Sequence, residues 1–468
     1  MNIIAKRAAT EDLFVWDERL IRKYDVPGPR YTSYPTALQF TESFGPDAYR
    51  EYLSPRPVSI GALSLYVHVP YCRNICYYCA CNKIVTRDQS VAERYLDALE
   101  KEVKLLAPYF DGRRKVTQLH WGGGTPTFLS GAELTRLMHI LSSHFTLIDS
   151  ADREYSIELD PRSIDVDAIA LLKGLGFNRV SMGVQDFDPA VQQAINRIQT
   201  FEKVDELVRA IRVHRFKSLS FDLIYGLPNQ NRDSIEQTLN QVVRLSPDRI
   251  SCYSYAHLPE RFSSQRSIDR LQIPTADEKL EIFHRMVEQL TEAGYLYVGM
   301  DHFVKPDDEL ASAMHNGTLH RNFQGYSTQM APELIGIGVS SISNTGDLYA
   351  QNAKRIDDYF DLLDKGQLPI ERGIVLSDED KLRREVIMQL ICRMQLDMRK
   401  IEQRFEIDFA TFFRNELAAL KNMANEGLLT MTDRWIHITG TGRPLIRNIC
   451  MIFDAYSDGE QTRFSKTI

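Results

Sequence analysis

Runs of hydrophobic residues predict six short strands between residues 63 and 255. Each run is rich in the branched and aromatic residues that favour extended backbone, and polar residues, Gly or Pro separate the runs. The six runs are LSLYVHV (63–69), VTQLHW (116–121), EYSIEL (154–159), RVSMGV (179–184), LSFDLIY (219–225) and RISCYSY (249–255).

Helical patterns fill the connections between these strands. In residues 91–106, apolar side chains recur at helical spacing and predict one buried face. Similar segments follow the second, third, fourth and fifth strands. Strands that alternate with helices are typical of parallel β/α units. Six units are fewer than the eight of a closed barrel, so we predict an α/β fold built on an open, partial β/α barrel.

The segments on either side of this pattern differ from it. Residues 1–60 are polar, rich in Pro, Tyr and Arg, and without a clear period, which predicts an arm or lid. We assign residues 61–345 to the partial barrel with an extension. Residues 346–468 form a mainly helical C-terminal domain in this prediction, and residues 428–439 within it form a winged-helix-like hairpin.

Composition and charge narrow the class of protein. The 468 residues are 43% hydrophobic and 25% charged, with a formal net charge of −7, as expected for a globular protein. Without a basic block, nucleic acid is not the expected partner. No apolar run approaches the roughly 20 residues of a membrane span, and the N-terminus has no signal-peptide core. We therefore expect a cytoplasmic protein.

Four of the seven cysteines lie between residues 72 and 81, as a C-x3-C-x2-C pattern followed by Cys81. Thiols in the cytoplasm stay reduced, which favours a metal site over disulfides. Cys72, Cys76 and Cys79 can hold three corners of an iron–sulfur cluster and leave the fourth iron open. A closed zinc site that also uses Cys81 is the alternative. The isolated cysteines are expected to be buried apolar residues: Cys252, Cys392 and Cys450.

Other polar groups follow the carboxyl ends of the predicted strands. In a parallel β/α array these ends meet on one rim, where barrel enzymes have their active sites. The glycine triple also exposes backbone groups to a close ligand. The groups at this rim are GGGTP (122–126), Glu158, Asp160, Gln185, Asp186, Asp222, Ala256 and His257.

These motifs carry a resemblance to a known family. The cysteine loop after the first strand and the glycine-rich turn after the second resemble the radical S-adenosylmethionine (SAM) superfamily. The chain is moreover similar, in order and over nearly its whole length, to the oxygen-independent coproporphyrinogen III oxidase family. The similar segments are PGPRYTSYPTA, HVPYC-x3-CYYCACNKIVTR, QLHWGGGTPT, IELDPR, GFNRVSMGVQDF, DLIYGLP, YAHLP, GMDHF, HRNFQGY and RNICM.

The resemblance implies a [4Fe-4S] cluster on Cys72, Cys76 and Cys79, with two SAM molecules bound side by side. Without the family, several of the SAM positions have ordinary explanations as core or solvated residues. Matching the motifs assigns the first SAM to Tyr66, Gly123, Glu158 and Ile342, and the second to Tyr78, Gly124, Thr125, Gln185, Arg197, Asp222 and Ala256.

The implied reaction converts two of the four propionates of coproporphyrinogen III into vinyl groups and gives protoporphyrinogen IX. A 5′-deoxyadenosyl radical abstracts hydrogen, and CO2 and one electron are lost from each propionate. A low-potential electron donor, a final electron acceptor and a monomeric state are also implied. Candidates for catalysis are Cys81, Phe323 and Gln324, and candidates for binding the propionates are Arg30, Tyr31, His320, Arg321, Phe323 and Gln324.

Two other functions stay open. Relatives of this family bind haem without oxidising coproporphyrinogen, but they generally lack the fourth cysteine and the PGPRYTSYPT arm. A zinc-containing winged-helix regulator would leave the glycine turn, Glu158 and Gln185 on one rim without an explanation.

Overall fold

The computed structural model describes residues 14–54, 61–323, 325–328, 333–457 and 466–467. The chain divides into two compact units. The larger contains the described residues of Phe40–Leu290 and Ala331–Val375, and the smaller those of Met1–Gln39, Thr291–Met330 and Leu376–Ile468. The division into an arm, a barrel and a helical domain stays a prediction.

Strands in the described residues are β1 Leu63–Val69, β2 Tyr71–Cys72, β3 Ile84–Val85, β4 Lys115–Gly123, β5 Thr146–Leu147, β6 Glu154–Leu159, β7 Arg179–Gln185, β8 Ser218–Tyr225, β9 Arg249–Ser254, β10 Leu296–Gly299, β11 His302–Val304, β12 His320–Asn322, β13 Gly325–Ser327, β14 Glu333–Ile337, β15 Ile342–Thr345, β16 Leu348–Asn352, β17 Ile370–Val375, β18 Gln395–Asp397, β19 Leu429–Met431 and β20 Trp435–Ile438.

Helices in the described residues are α1 Glu18–Tyr24, α2 Pro46–Leu53, α3 Val91–Leu106, α4 Gly131–His144, α5 Val166–Gly174, α6 Pro189–Ala194, α7 Phe201–Val213, α8 Arg232–Leu245, α9 Ala276–Glu292, α10 Glu309–His315, α11 Ile356–Asp364, α12 Asp378–Arg393, α13 Met398–Phe405, α14 Phe409–Phe412, α15 Arg414–Asn425 and α16 Ile446–Met451. None of these described helices has both the length and the hydropathy to cross a bilayer.

A parallel sheet forms the centre of the larger unit. Its strands lie in the order β14, β1, β4, β6, β7, β8 and β9, and each neighbouring pair is parallel. The path of the described strands does not close on itself. All six predicted strands are present within one or two residues of their expected ends, and helices follow them. The open, partial β/α barrel is confirmed.

The sheet also continues beyond the predicted strands. β14 pairs in parallel with β1, and β15, β16 and β17 then extend the sheet as antiparallel neighbours. The sequence patterns did not predict these four strands. Because β1 pairs with β4 on one side and with β14 on the other, the first strand lies inside the sheet and not at its edge.

Helix α3 packs its apolar face on this sheet and also buries one carboxyl group. Glu102 accepts hydrogen bonds from the Gly338 amide at 2.7 Å, the Asn352 side chain at 2.6 Å and the Tyr359 hydroxyl at 2.6 Å. Burial raises the pKa of Glu102 to about 7 despite these donors. The carboxyl group therefore links α3 to the turn after β14 and to α11.

The smaller unit contains helices and short antiparallel strands, and its described part from Leu376 onward is mainly helical, as predicted for the C-terminal region. β12 pairs with β13, and β20 lies between β18 and β19. β19 and β20 pair as antiparallel neighbours within residues 428–439, and the winged-helix-like character of this segment stays a prediction. The described residues before Phe40 are hydrogen-bonded within this unit: Arg447 donates to the Pro29 carbonyl at 3.0 Å, and the buried Tyr31 hydroxyl donates to Asp454 at 2.9 Å.

Candidate active site

The cysteine loop leaves the carboxyl end of β1 and is held by backbone hydrogen bonds. Cys72 lies in β2, which pairs with β3 directly after the loop. The Cys79 amide donates to the Cys76 carbonyl at 3.2 Å, so the last two cysteines of the C-x3-C-x2-C pattern share one tight turn. The Asn196 side chain donates to the Ile75 carbonyl at 2.8 Å and fixes the middle of the loop.

The thiols of Cys72, Cys79 and Cys81 differ in their protonation. Burial raises the pKa of Cys72 to about 11, although the Thr125 hydroxyl lies 3.3 Å from its sulfur. A hydrogen bond from Cys81 lowers the pKa of Cys79 to about 6 and raises the pKa of Cys81. Cys79 therefore loses its proton before Cys72 and Cys81 do, and Cys81 remains a neutral thiol beside it.

The cysteine set fits an iron–sulfur cluster. Cys72, Cys76 and Cys79 line a single cavity of about 300 Å³. In the described part of the chain, no group of three His, Cys, Asp or Glu side chains converges on one metal ion. A cluster does not need such convergence, because each thiolate bonds a different iron.

The glycine turn after β4 forms the next wall of the cavity. Gly123 has φ of +117°, a region that strongly favours glycine. A Cβ at Gly124 would lie 2.4 Å from the Pro70 carbonyl oxygen, closer than any side chain can approach. The Gly124 amide also donates to the Val69 carbonyl at 2.8 Å. The glycines thus bring the turn directly against the start of the cysteine loop.

Glu158 extends from the end of β6 towards this turn. Its carboxylate accepts a hydrogen bond from the Gly123 amide at 3.2 Å and lies 3.1 Å from Nε2 of His120. The Tyr66 ring stacks on His120 with 5.8 Å between ring centroids. Of the predicted first-SAM residues, Gly123 is bonded directly to Glu158, and Tyr66 is connected to Glu158 through His120, a residue that the sequence patterns did not single out.

Arg197 and Asp160 form a buried ion pair on the other side of the cavity. Nη1 of Arg197 lies 3.2 Å from the Asp160 carboxylate, and Nη2 donates to the Gly183 carbonyl at 2.5 Å. The buried Nε has no hydrogen-bond partner among the described residues. A buried N–H without a partner is costly, so this donor fits a ligand oxygen.

Asp222 lies on β8 near the same cavity. The Ser181 hydroxyl donates to its carboxyl group at 2.9 Å. Burial raises the pKa of Asp222 to about 7, and the nearby Glu158 carboxylate contributes to this rise. Asp222 is therefore partly protonated near neutral pH and can both donate to and accept from a ligand hydroxyl.

Most of the predicted site residues line this cavity: Cys72, Tyr78, Cys76, Cys79, Cys81, Gly123, Gly124, Thr125, Glu158, Gln185, Arg197 and Asp222. Three do not. Tyr66 stacks behind Glu158 on His120. Ile342 contacts Gly336, whose partner in the sheet is Tyr66. The Ala256 carbonyl accepts from Gln265 at 3.2 Å, and the same amide donates to Tyr78.

Asp186 does not belong to the cavity lining. Its carboxyl group is buried and accepts from the Thr238 hydroxyl and the Gln230 amide, both at 2.6 Å. Burial raises its pKa to about 6. These contacts give Asp186 a structural role, connecting the end of β7 to α8 and to the loop before it.

The remaining candidates for catalysis and for binding the propionates lie in the smaller unit. Arg30 forms an ion pair with the buried Asp301. Arg321 stacks on the Tyr326 ring at 4.7 Å, and its buried Nε and Nη1 have no partner among the described residues. His320 is half-buried in β12, and Phe323 follows that strand. Gln324 lies outside the described residues. Their contacts with substrate stay predictions.

Comparison with known proteins places this site in a family. Residues 66–242 match the radical SAM superfamily, and residues 376–445 match the HemN C-terminal domain. The cysteine loop and the carboxyl-end rim of the sheet lie largely within the first match. The fold and the site thus define a radical SAM enzyme.

Similarity over the whole chain is more specific. The chain is 50% identical to the oxygen-independent coproporphyrinogen III oxidase of Pseudomonas aeruginosa, over 98% of this chain and 100% of that protein. The Escherichia coli oxidase is 48% identical over 97% of this chain and 98% of its own length. The solved structure of coproporphyrinogen III oxidase (HemN) from E. coli, described as a radical SAM enzyme, matches 95% of this chain and 100% of its own, with a TM-score of 0.90. The chain belongs to the oxygen-independent coproporphyrinogen III oxidase family.

Proposed function

We infer that the protein oxidises coproporphyrinogen III to protoporphyrinogen IX without oxygen, by converting two propionates into vinyl groups. The observation that carries this conclusion is the cavity where the three cysteines, the glycine turn and Glu158 meet. It lies in a chain similar over nearly its full length to oxidases of this name. These relatives support the oxidase over the haem-binding alternative.

Cys72, Cys76 and Cys79 hold the [4Fe-4S] cluster in this account. When bound, the cluster and SAM supply a 5′-deoxyadenosyl radical that removes a hydrogen atom from the β-carbon of a propionate. The propionate then loses CO2 and one electron and becomes a vinyl group. The low pKa of Cys79 and the tight turn after Cys76 prepare the loop to bind metal, since the ligand thiols must be deprotonated.

We propose two SAM sites at the two sides of the cavity. Glu158, held by Gly123 and His120, presents its carboxylate to the ribose hydroxyls of the first SAM, and Tyr66, Gly123 and Ile342 are the other proposed residues around this molecule. Arg197 offers its unpartnered Nε to the carboxylate of the second. The other proposed residues around the second SAM are Tyr78, Gly124, Thr125, Gln185, Asp222 and Ala256.

Cys81 has a separate proposed role. Its thiol keeps its proton because of the hydrogen bond to Cys79, and Cys81 is an exposed residue of the cavity lining. A neutral thiol can donate a hydrogen atom, whereas a thiolate cannot. We propose that Cys81, together with Phe323 and Gln324, acts on the substrate or on the second SAM.

We also propose that a low-potential electron donor and a final acceptor for the electron released with CO2 take part, and that the enzyme is monomeric and cytoplasmic. Anaerobic incubation with SAM, a chemical reductant and coproporphyrinogen III tests the function. Protoporphyrinogen IX and CO2 are the expected products. Tight haem binding without these products would support the haem-binding alternative.

A further inference from the structure

Arg162 occupies a short turn that follows β6 and was not among the predicted site residues. The turn, Pro161–Ser163, begins at Asp160, whose carboxylate accepts from the Arg162 amide at 3.0 Å. The same carboxylate also binds the Arg162 guanidinium, with Nε at 3.0 Å and Nη2 at 2.7 Å. Such two-point pairing fixes the plane of the guanidinium.

The fixed guanidinium faces a cluster ligand. Nη2 of Arg162 donates to the sulfur of Cys76 at 3.2 Å, within the range for an N–H···S hydrogen bond. Its Nη1 donates to the Asn196 carbonyl at 3.3 Å, from the residue whose side chain holds the cysteine loop. The Arg162 side chain is only 14% exposed, so water does not screen this contact strongly.

The three ligand sulfurs have different neighbours. Cys72 lies beside the Thr125 hydroxyl, and Cys79 beside the Cys81 thiol. Cys76 lies beside Arg162 and, at 3.5 Å, beside Nη1 of Arg197. Two guanidiniums share the single Asp160 carboxylate, which leaves one net positive charge next to Cys76.

A positive charge and an N–H donor at a cluster thiolate affect the two oxidation states unequally. Reduction adds one electron, and therefore one negative charge, to the cluster. A neighbouring cation stabilises the more negative reduced state more strongly, and hydrogen bonds to the sulfurs act in the same direction. The two arginines differ in whether they can bind a ligand. Nε of Arg197 is free to donate to a ligand, whereas Nε, Nη1 and Nη2 of Arg162 all have protein partners.

We propose that Arg162 tunes the cluster: its hydrogen bond to Cys76, oriented by Asp160, makes the [4Fe-4S] cluster easier to reduce. No bond to the cluster forms or breaks, and the single electron comes from the donor that the proposed function already requires. The inference rests on the assignment of Cys76 as a cluster ligand.

A redox titration of the reconstituted protein, followed by the EPR signal of the reduced cluster, tests this role. Arg162→Met removes the charge and the donor together. At the potential where half of the wild-type cluster is reduced, we expect the ratio of reduced to oxidised cluster to fall by roughly tenfold, or about 59 mV for a one-electron couple. Arg162→Lys keeps a charge and a donor, so its ratio of reduced to oxidised cluster should lie between those of the wild type and Arg162→Met.

Arg114→Met is the matched control. Arg114 forms a buried ion pair with Glu333 near the opposite end of β4, so its loss removes a comparable contact in the same unit without touching the cysteine loop. We expect its cluster potential to equal that of the wild type. An equal fall in this control would assign the effect to general loosening of the fold and overturn the proposal.

The remaining outcomes are distinguishable. Unchanged potentials in Arg162→Met and Arg162→Lys would overturn the tuning role alone. If neither variant assembles a cluster, Arg162 is needed for loop assembly and the tuning proposal is rejected. A wild-type protein without iron, sulfide or the EPR signal would instead refute the proposed metal site.

Discussion

His120 and Glu158 face each other from neighbouring strands, with Nε2 of the imidazole 3.1 Å from Oε1 of the carboxylate. The second carboxylate oxygen accepts from the Gly123 amide at 3.2 Å. The side chain is still 43% exposed. Glu158 is thus held in place by His120 and Gly123 while part of its side chain stays accessible, as a residue that accepts hydrogen bonds from ligand hydroxyls needs to be.

Replacing Glu158 by Ala should leave the cluster intact and weaken SAM binding. Hydrogen bonds to a charged acceptor contribute about 1.5–3 kcal/mol, which corresponds to roughly ten- to hundredfold weaker binding. Equilibrium binding of SAM and the rate of its reductive cleavage measure the effect. Glu51→Ala, at an exposed position on α2, is the control. Unchanged affinity in Glu158→Ala would contradict its assignment to the ribose.

Cys76→Ala should abolish both the cluster and the activity. Three thiolates are the minimum that the account allows, and the buried Cys76 sulfur lies at the centre of the ligand loop. Iron and sulfide content and the brown iron–sulfur absorption are the measurements. The control variant Cys252→Ala should keep its iron, its sulfide and the brown absorption, because Cys252 is buried within β9 and does not line the cavity. A Cys76→Ala protein with a full cluster would rule out the ligand set.

Arg197→Lys should lower the number of SAM molecules bound from two to one. Lysine keeps the charge but lacks the planar fork whose Nε points away from its protein partners. Isothermal titration of the reconstituted enzyme gives the stoichiometry. Arg209→Lys, on the exposed side of α7, should still bind two. Two molecules bound to Arg197→Lys with unchanged affinity would be incompatible with the proposed second site.

Glu102 should make stability depend on pH. Its pKa is raised from 4.5 to about 7 by burial, so the folded protein holds a proton that the unfolded chain has already lost between these values. Wild-type stability should therefore fall relative to Glu102→Gln as pH rises from about 4.5 to 7, by up to roughly 3 kcal/mol.

Urea denaturation of both proteins across this pH range tests the Glu102 prediction. Above about pH 7 the stability difference should become constant. Glu93→Gln, at an exposed position of the same helix, should show no such change. A difference between wild type and Glu102→Gln that does not vary with pH would contradict the raised pKa.

The sequence alone was sufficient to predict the features that depend on local patterns of residues. The six strands from β1 to β9 that form the barrel each carry a hydrophobic run, and the cysteine spacing is visible in ten residues. The rim position of Glu158, Gln185 and Asp222 followed from the rule that parallel strands end together. These parts of the fold depend on contacts close in sequence or on a general topology.

Features that depend on distant pairing were not predictable in this way. β14 joins β1 across more than 260 residues, and its short run ELIGI looks like many others. From the sequence alone, Arg162 would be interpreted as a solvated surface charge. In the structure, its ion pair with Asp160 in the turn directs the guanidinium to Cys76. The sequence feature that could have identified Arg162 is its place in IELDPR, three residues after Leu159, where a strand ends on the rim.

Coproporphyrinogen III labelled in its propionate carboxyl carbons gives the most direct test of the central claim. Under anaerobic conditions with SAM and a reductant, the wild-type enzyme should release two of the four labels as CO2 for each protoporphyrinogen IX formed. Cys76→Ala should release none. Wild-type protein with an intact cluster that releases no label, and binds haem tightly instead, would contradict the account.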